Sequence, residues 1–318
     1  LVLRFASDPG AFPFAQKLSF SYKNTPVRLY EEAICFRKEQ KGELTGLMRL
    51  RNFWMTDQHV FCKNETEGKN EFLVLSKLFS ELMTEVIAGT HWVVGFELVE
   101  EHYEKYIEIL RQTVIDSKSP ALIKIMKEMS HYYSFKSEYQ AIFADESNLQ
   151  ISTVQWDTKN GERFNIKYMN EQGKKVPIST IIHASSFGSI ERSIAAILET
   201  ALWEEKSGLN PVLPVWLAPE HVRLIPIGSI EEMNKCIQIA ETLEKKGIRV
   251  GIDDRNLRVG KKVYESKRNW VPYIMVIGKK ELEKDIYSVV IRKNSKISEE
   301  KIIDFTLNDL ADEISNQI

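Results

Sequence analysis

The sequence predicts an antiparallel sheet with helices on one face, followed by a separate α/β domain. Three observations carry that expectation. Ile34 to Cys62 reads as an apolar strand, a polar loop and a second apolar strand. From Glu71 to Glu205 short apolar runs interleave with segments of helical period. After Ser207-Gly208-Leu209-Asn210-Pro211, where turn formers meet a proline, the pattern changes to alternating strand and helix units. That boundary gives domains of residues 1–207 and 211–318.

Along the chain, the strand pair lies between Tyr22 and Cys62. Apolar positions from Phe72 to Ile87 recur at helical spacing and predict a helix over Glu71–Gly89. A strand over Trp92–Leu98 follows, then helices over Tyr103–Val114 and Ala121–Ser134. Short strands are expected at Tyr139–Phe143, Ile151–Trp156 and Ile178–Ala184, with a turn at Glu171-Gln172-Gly173. Ile190, Ile194, Ile197, Leu198, Ala201 and Leu202 make the stripe of a helix over Ile190–Glu205. In the second domain strands are expected at Val222–Ile227, Ile248–Ile252, Tyr273–Ile277 and Ile286–Arg292. Helices are expected at Glu231–Lys246, Val259–Ser266 and Glu299–Ile314.

With 318 residues the chain is long enough for two domains and a sizeable core. Charged residues make up 28% and the formal net charge is -2, so no global basic field draws nucleic acid, and any RNA contact must be local. Cys35, Cys62 and Cys236 form no paired framework, which fits a reducing cytoplasm. No apolar run approaches a membrane span. Asn64-Glu65-Thr66 matches a glycosylation sequon by chance in such a setting. The chain opens at Leu1, within an apolar stretch, which suggests a piece of a longer protein.

The strand pair sets charge where one would normally exclude it. Arg37 and Glu39 end the first strand, Gly42 and Gly46 loosen the loop, and Arg49 and Arg51 begin the return strand. Asp57 and His59, two apart, share one face. Guanidiniums at the base of a hairpin suit a polyphosphate, since each offers a rigid fork of donors to its oxygens. The plain alternative is a salt-bridged hairpin. A second cluster, Phe187-Gly188-Ser189-Ile190-Glu191-Arg192, enters a helix and turns Arg192 away from the apolar stripe; a lone Arg so placed is usually a solvated surface residue. A third, Arg255, Arg258, Lys261 and Lys262, lies at a loop and helix start and reads on its own as a solvated face.

Taken together these residues resemble the class II aminoacyl-tRNA synthetases of the archaeal threonyl type. Phe36, Arg37, Glu39, Gly46, Leu47, Arg49, Arg51, Phe53, Asp57 and His59 match motif 2 of that family, and Gly188 to Arg192 match motif 3. Tyr133 and Lys136 resemble its Y-x-x-K-x-E element, and Gln150 and Gln155 its S/G-T-V-Q strand. Residues 213–281 resemble its anticodon-binding domain. The resemblance implies an α+β class II catalytic domain followed by an α/β anticodon-binding domain. It implies a ligase that condenses threonine and ATP into threonyl-adenylate and passes the aminoacyl group to the 3′ end of tRNA(Thr). Arg37 would hold the α-phosphate, Arg192 the outer phosphates with Mg²⁺, and Glu39 the adenine. Arg49, Gln155 and Ser189 complete the ATP site. Asp57, Tyr133, Gln150, His59 and His183 would surround threonine, and Lys136 would help seat the adenylate. The family holds one zinc through a Cys and two His. The histidine positions fall on His59 and His183, and the Cys position falls on Asp8, which is a competent though harder ligand. Alternatively the metal is lost, and the two histidines are buried polar groups. Cys62, three residues from His59 on a strand, faces the other way. Arg255, Lys261 and Glu265 would contact the anticodon. The implied assembly is a cytoplasmic homodimer, with neither membrane nor DNA as partner. A second reading is a non-catalytic relative that kept the fold as a tRNA- or partner-binding module.

Overall fold

Alternation with period two builds the central sheet and gives it two unlike faces. In the computed structural model, which describes residues 2–128 and 131–318, the chain divides into two units, Leu1–Thr200 and Ala201–Ile318. The first unit runs α1 (Asp8–Lys17), β1 (Phe20–Ser21), β2 (Val27–Phe36), β3 (Asn52–Cys62), α2 (Glu65–Leu82), β4 (Trp92–Val99), α3 (Tyr103–Ser117), β5 (Ala121–Met126), β6 (Tyr133–Ile142) and β7 (Asn148–Asp157). It continues with α4 (Asn160–Arg163), β8 (Lys167–Met169), β9 (Lys175–Pro177), β10 (Thr180–Ser185) and α5 (Ile190–Lys206), whose last turns belong to the second unit.

Seven strands form one sheet in the order β2-β3-β10-β7-β6-β4-β5, antiparallel except where β5 runs parallel to β4. One set of alternate residues, among them Val60, Phe96, Phe135, Tyr139, Trp156 and Ile182, packs beneath α2 and α3 in the main core. Phe72 of α2 lies 5.0 Å from the Phe135 ring, centroid to centroid, and so ties helix to sheet. Burying large apolar side chains there supplies roughly 1.5–3 kcal/mol each. The opposite set carries Asp57, His59, Gln155, Asp157, His183 and Ser185. On this side α1 and the small β1-β8-β9 sheet cover only one end, around Phe12, Phe20, Phe61 and Ile181.

The second unit continues with β11 (Val222–Pro226), α6 (Ile230–Glu244), β12 (Val250–Ile252), α7 (Val259–Arg268), β13 (Tyr273–Ile277), α8 (Lys279–Leu282), β14 (Tyr287–Lys296), β15 (Glu299–Phe305) and α9 (Leu307–Ser315). Its sheet has the order β12-β11-β13-β14-β15, parallel through the first three strands and antiparallel beyond.

Several expectations need correction. Ala121–Ser134 is not a helix: Ala121–Met126 is a strand, Met129 and Ser130 lie outside the described residues, and β6 has begun by Tyr133. A six-residue apolar run satisfies either period, and pairing with β4 decides it. Glu299–Ile314 is likewise a strand followed by a helix. Ile302 and Ile303 pair with β14, and Thr306 caps α9 by accepting from the Asp309 amide. α2 starts six residues earlier than expected because Asn64, the sequon residue, is its N-cap and accepts from the Glu67 amide at 2.9 Å. In α5 the inward residues include Ser193, Ala196, Ile197 and Ala201, while Ile190 and Ile194 are exposed. Among the described residues no helix is long and apolar enough to cross a membrane.

Candidate active site

Strand register lines up the polar face. His59 pairs with His183, His183 with Gln155, Gln155 with Lys136, Lys136 with Glu97, and Glu97 with Lys124. One row of pairs thus crosses six strands, carrying two imidazoles, an amide and then an ion-pair ladder. A cleft of about 370 Å³ opens over the first part of this row and reaches the β2–β3 loop.

At one end lies an Asp–His–His cluster. Asp8 Oδ1 is 3.4 Å from His59 Nε2 and 3.3 Å from His183 Nδ1, and ligand atoms of all three residues fall within 4.8 Å of one another. Asp8 comes from the first turn of α1, and its place is set by its neighbour: Ser7 donates its hydroxyl to Asp57 Oδ2 at 2.6 Å. His183 Nε2 faces Asp157 Oδ2 at 3.0 Å. Asp157 is held in turn by the amides of Lys159 and Asn160 and by the Asn160 side chain. A carboxylate behind a histidine is the arrangement that orients metal-binding imidazoles. Burial works against charge on His183, but the hydrogen bonds to Asp157 and Asp8 outweigh it and raise the imidazole to about 9. Burial would raise Asp8, yet bonds to His183 and His59 hold it well below the usual carboxylate range. Two carboxylates facing two imidazoles demand positive charge at this spot, which either a proton or a cation can supply. The 3.3 and 3.4 Å separations fit a cation, because donors bound to one ion at about 2.0–2.2 Å lie roughly 2.9–3.7 Å apart across the common coordination geometries.

At the other end the cleft is cationic. Arg37, Arg49 and Arg192 all line it. The Arg37 guanidinium lies over the Phe53 ring at 5.1 Å, and Arg192 donates to the Met48 carbonyl at 2.8 Å. Burial, and then the charges of Arg37 and Arg49, depress the Arg192 pKa, so the three guanidiniums repel one another. Glu39 pairs with Arg49 at 2.9 Å and offsets part of that charge. Ser189 lies just before α5 and accepts from the Arg192 amide at 3.1 Å. Gly188 has φ +57°, and a Cβ there would sit 2.2 Å from the Ile151 carbonyl oxygen. Gly188→Ala is therefore expected to lower unfolding free energy by about 2–4 kcal/mol, from left-handed strain plus a backbone clash. Urea denaturation checks this, and a loss below about 1 kcal/mol would contradict it.

The residues singled out from sequence divide. Asp8, Arg37, Glu39, Arg49, Asp57, Gln150, Gln155, His183, Ser189 and Arg192 line the cleft, and His59 lines the adjoining groove. Tyr133 and Lys136 are not among the lining residues. Tyr133 is buried and donates to Glu97, and Lys136 is held by Glu97 and Glu138. Tyr132 lines the cleft instead, donating to Gln155 Oε1 at 2.6 Å with its ring 4.9 Å from His183. Neither Tyr132 nor the supporting Ser7 and Asp157 carries a local signal, because their roles arise from contacts distant in sequence. Cys62 faces the helix-side core, away from His59.

In the second unit Arg255 is clamped between Asp253 and Glu265, each at 2.7 Å, and these two bonds raise its pKa. Lys261 is exposed, 4.0 Å from Glu265. Lys262 does not join a surface cluster: it is buried and donates to the Asp253 carbonyl at 2.9 Å, shaping the loop that presents Arg255.

Comparison with known families agrees with this architecture. The tRNA synthetase class II core domain (G, H, P, S and T) matches residues 12–201, and the anticodon binding domain matches residues 221–317. The chain belongs to the class II tRNA synthetase core family. Within it, the chain is similar to the threonine–tRNA ligases of Methanosarcina barkeri (37% identity, all of this chain and 50% of that protein) and Nitrosopumilus maritimus (35%, all of this chain and 51% of that protein). The same holds for the threonine–tRNA ligase of Pyrococcus furiosus, at 36% identity over 94% of this chain and 48% of that protein. The chain spans about half the length of these relatives. In fold it is similar to the RNA-binding domain of threonyl-tRNA synthetase from Cryptosporidium parvum Iowa II, with TM-score 0.80, 24% identity, and 99% of this chain and 76% of that one covered. Prolyl-tRNA synthetase from Cryptosporidium parvum, complexed with L-proline and AMP, gives TM-score 0.72 at 20% identity over 98% of this chain and 57% of that one.

Proposed function

We propose that this chain is the catalytic and anticodon-binding part of a threonyl-tRNA synthetase, which activates threonine with ATP and transfers it to the 3′ end of tRNA(Thr). The observation that carries this reading is one cleft with three guanidiniums at one end and an Asp–His–His cluster at the other. Mutually repelling arginines are held in place most favourably when an anion such as a triphosphate lies between them. Arg37 receives the charge that builds on the α-phosphate, Arg192 the outer phosphates with Mg²⁺, and Glu39 and Arg49 border the adenine, with Gln155 and Ser189 alongside. Pre-set donors of this kind lower the barrier without reorganising during reaction.

At the other end Asp57 takes the substrate ammonium, and Tyr132, Gln150 and Gln155 close around the adenylate. A zinc ion held by Asp8, His59 and His183 would supply a Lewis acid for the amino and hydroxyl groups of threonine. Valine is nearly the same shape but lacks the hydroxyl. An apolar pocket rejects such an isostere by only about 10², whereas polar groups left unpaired impose about 10⁴ or more. Serine keeps the hydroxyl, and the lost methyl counts for only about 1–3 kcal/mol, so serine is expected to be misactivated and cleared elsewhere. A cytoplasmic homodimer is the assembly this reading implies.

The other reading is a binding module without catalysis. Arg37, Glu39 and Arg192 in one cleft favour the enzyme. Incubation with ATP, Mg²⁺ and labelled threonine separates the two: the enzyme retains threonyl-adenylate through gel filtration, whereas a protein that binds tRNA(Thr) yet forms none is the module. If the second unit reads the anticodon, Arg255→Ala weakens aminoacylation and spares pyrophosphate exchange, since only the former needs docked tRNA. An equal fall in both would assign Arg255 to folding.

A further inference from the structure

We propose that Asp8, His59 and His183 form an open nitrogen–oxygen centre that is not selective for zinc and takes cobalt(II), iron(II) or manganese(II) in more than four-fold coordination. This rests on the metal reading above. Its first support is the donor set: two imidazole nitrogens and one carboxylate oxygen, with no sulfur. The cysteines of this unit lie elsewhere, Cys62 in the helix-side core and Cys35 in a cluster with Ala33 and Phe53. Thiolates select zinc, whereas two histidines and a carboxylate with open positions are the set that also suits iron(II) and its neighbours.

The second support is placement. Two donors rise from the neighbouring strands β3 and β10, and the third comes from the first turn of α1. Asp8 and His183 border the cleft of about 370 Å³, which leaves room for several further ligands. The triad is also prearranged: Asp157 holds the far nitrogen of His183, and the His59 ring is braced edge-on by Phe12 at 5.4 Å. A prearranged three-donor set at the edge of an open cleft leaves positions for the added ligands of a five- or six-coordinate ion.

The test is to strip the purified protein with a chelator, reload it with cobalt(II), and record the visible spectrum with wild type and Asp8→Cys side by side. Zinc is then added back in competition and bound metal is measured by mass spectrometry. The expected wild-type spectrum has the weak bands of five- or six-coordinate cobalt, and cobalt displaces zinc at an excess on the order of tenfold. Asp8→Cys should turn the bands intense, add a sulfur-to-metal band in the near ultraviolet, and hold zinc against that excess. Intense tetrahedral bands in wild type, or zinc held as firmly as in Asp8→Cys, would overturn this inference and leave the metal reading standing. No metal bound by wild type would overturn the metal reading and this inference with it.

Discussion

Arg192→Ala is expected to lower threonine-dependent pyrophosphate exchange by about 10² to 10³, the loss of about 2.7–4 kcal/mol typical of one removed charge-stabilising donor. Arg37→Ala is expected to match it. Both guanidiniums line the cleft, and neither belongs to the apolar stripes that hold the fold. Arg192 is the more informative, because it is partly buried against the charges of Arg37 and Arg49. Its removal relieves repulsion in the free protein while weakening the triphosphate complex, so thermal stability should hold or rise as activity falls. Arg192→Lys keeps the charge but loses the fork, and should recover only part of the rate. Exchange within threefold of wild type in either alanine variant would remove these arginines from the reaction.

Asp8→Ala is expected to abolish metal binding and to reduce the preference for threonine over valine from about 10⁴ toward about 10². The Asp8 side chain is 25% exposed, so the fold should survive. His183→Ala should lose the metal and also destabilise the protein. It leaves the buried Asp157 carboxylate without its imidazole, a loss of about 3–5 kcal/mol for a broken buried pair, moderated here by the bonds from Lys159 and Asn160. The pair of variants separates ligation from folding. Metal content and the threonine-to-valine ratio read the first, and denaturant midpoints the second. Unchanged discrimination in Asp8→Ala would sever the link between metal and specificity.

Much of the site is legible in the sequence because its residues sit in short motifs with fixed spacing. Period two places Asp57 and His59 on one face, and Gly188-Ser189 ahead of an apolar helix places Arg192. What the sequence hides is register. That His183 faces both His59 and Gln155 depends on pairing segments that are far apart in sequence. The same blindness hides Tyr132 at the cleft wall, since its contacts with Gln155 and His183 join residues distant in sequence. Ala121–Met126 and Glu299–Phe305 read as helical and are strands: each is a short edge run whose partner strand decides its form. Lys262 looks like part of a basic surface and is instead an internal prop, a difference set by the carbonyl it bonds.

Amino-acid-dependent ATP–pyrophosphate exchange on the metal-loaded protein shows whether one cleft joins a triphosphate to threonine. Strong exchange is expected with threonine, appreciable exchange with serine, and exchange lower by about 10⁴ with valine. A folded, metal-loaded protein that shows no threonine-dependent exchange, or that activates valine as well as threonine, would contradict it.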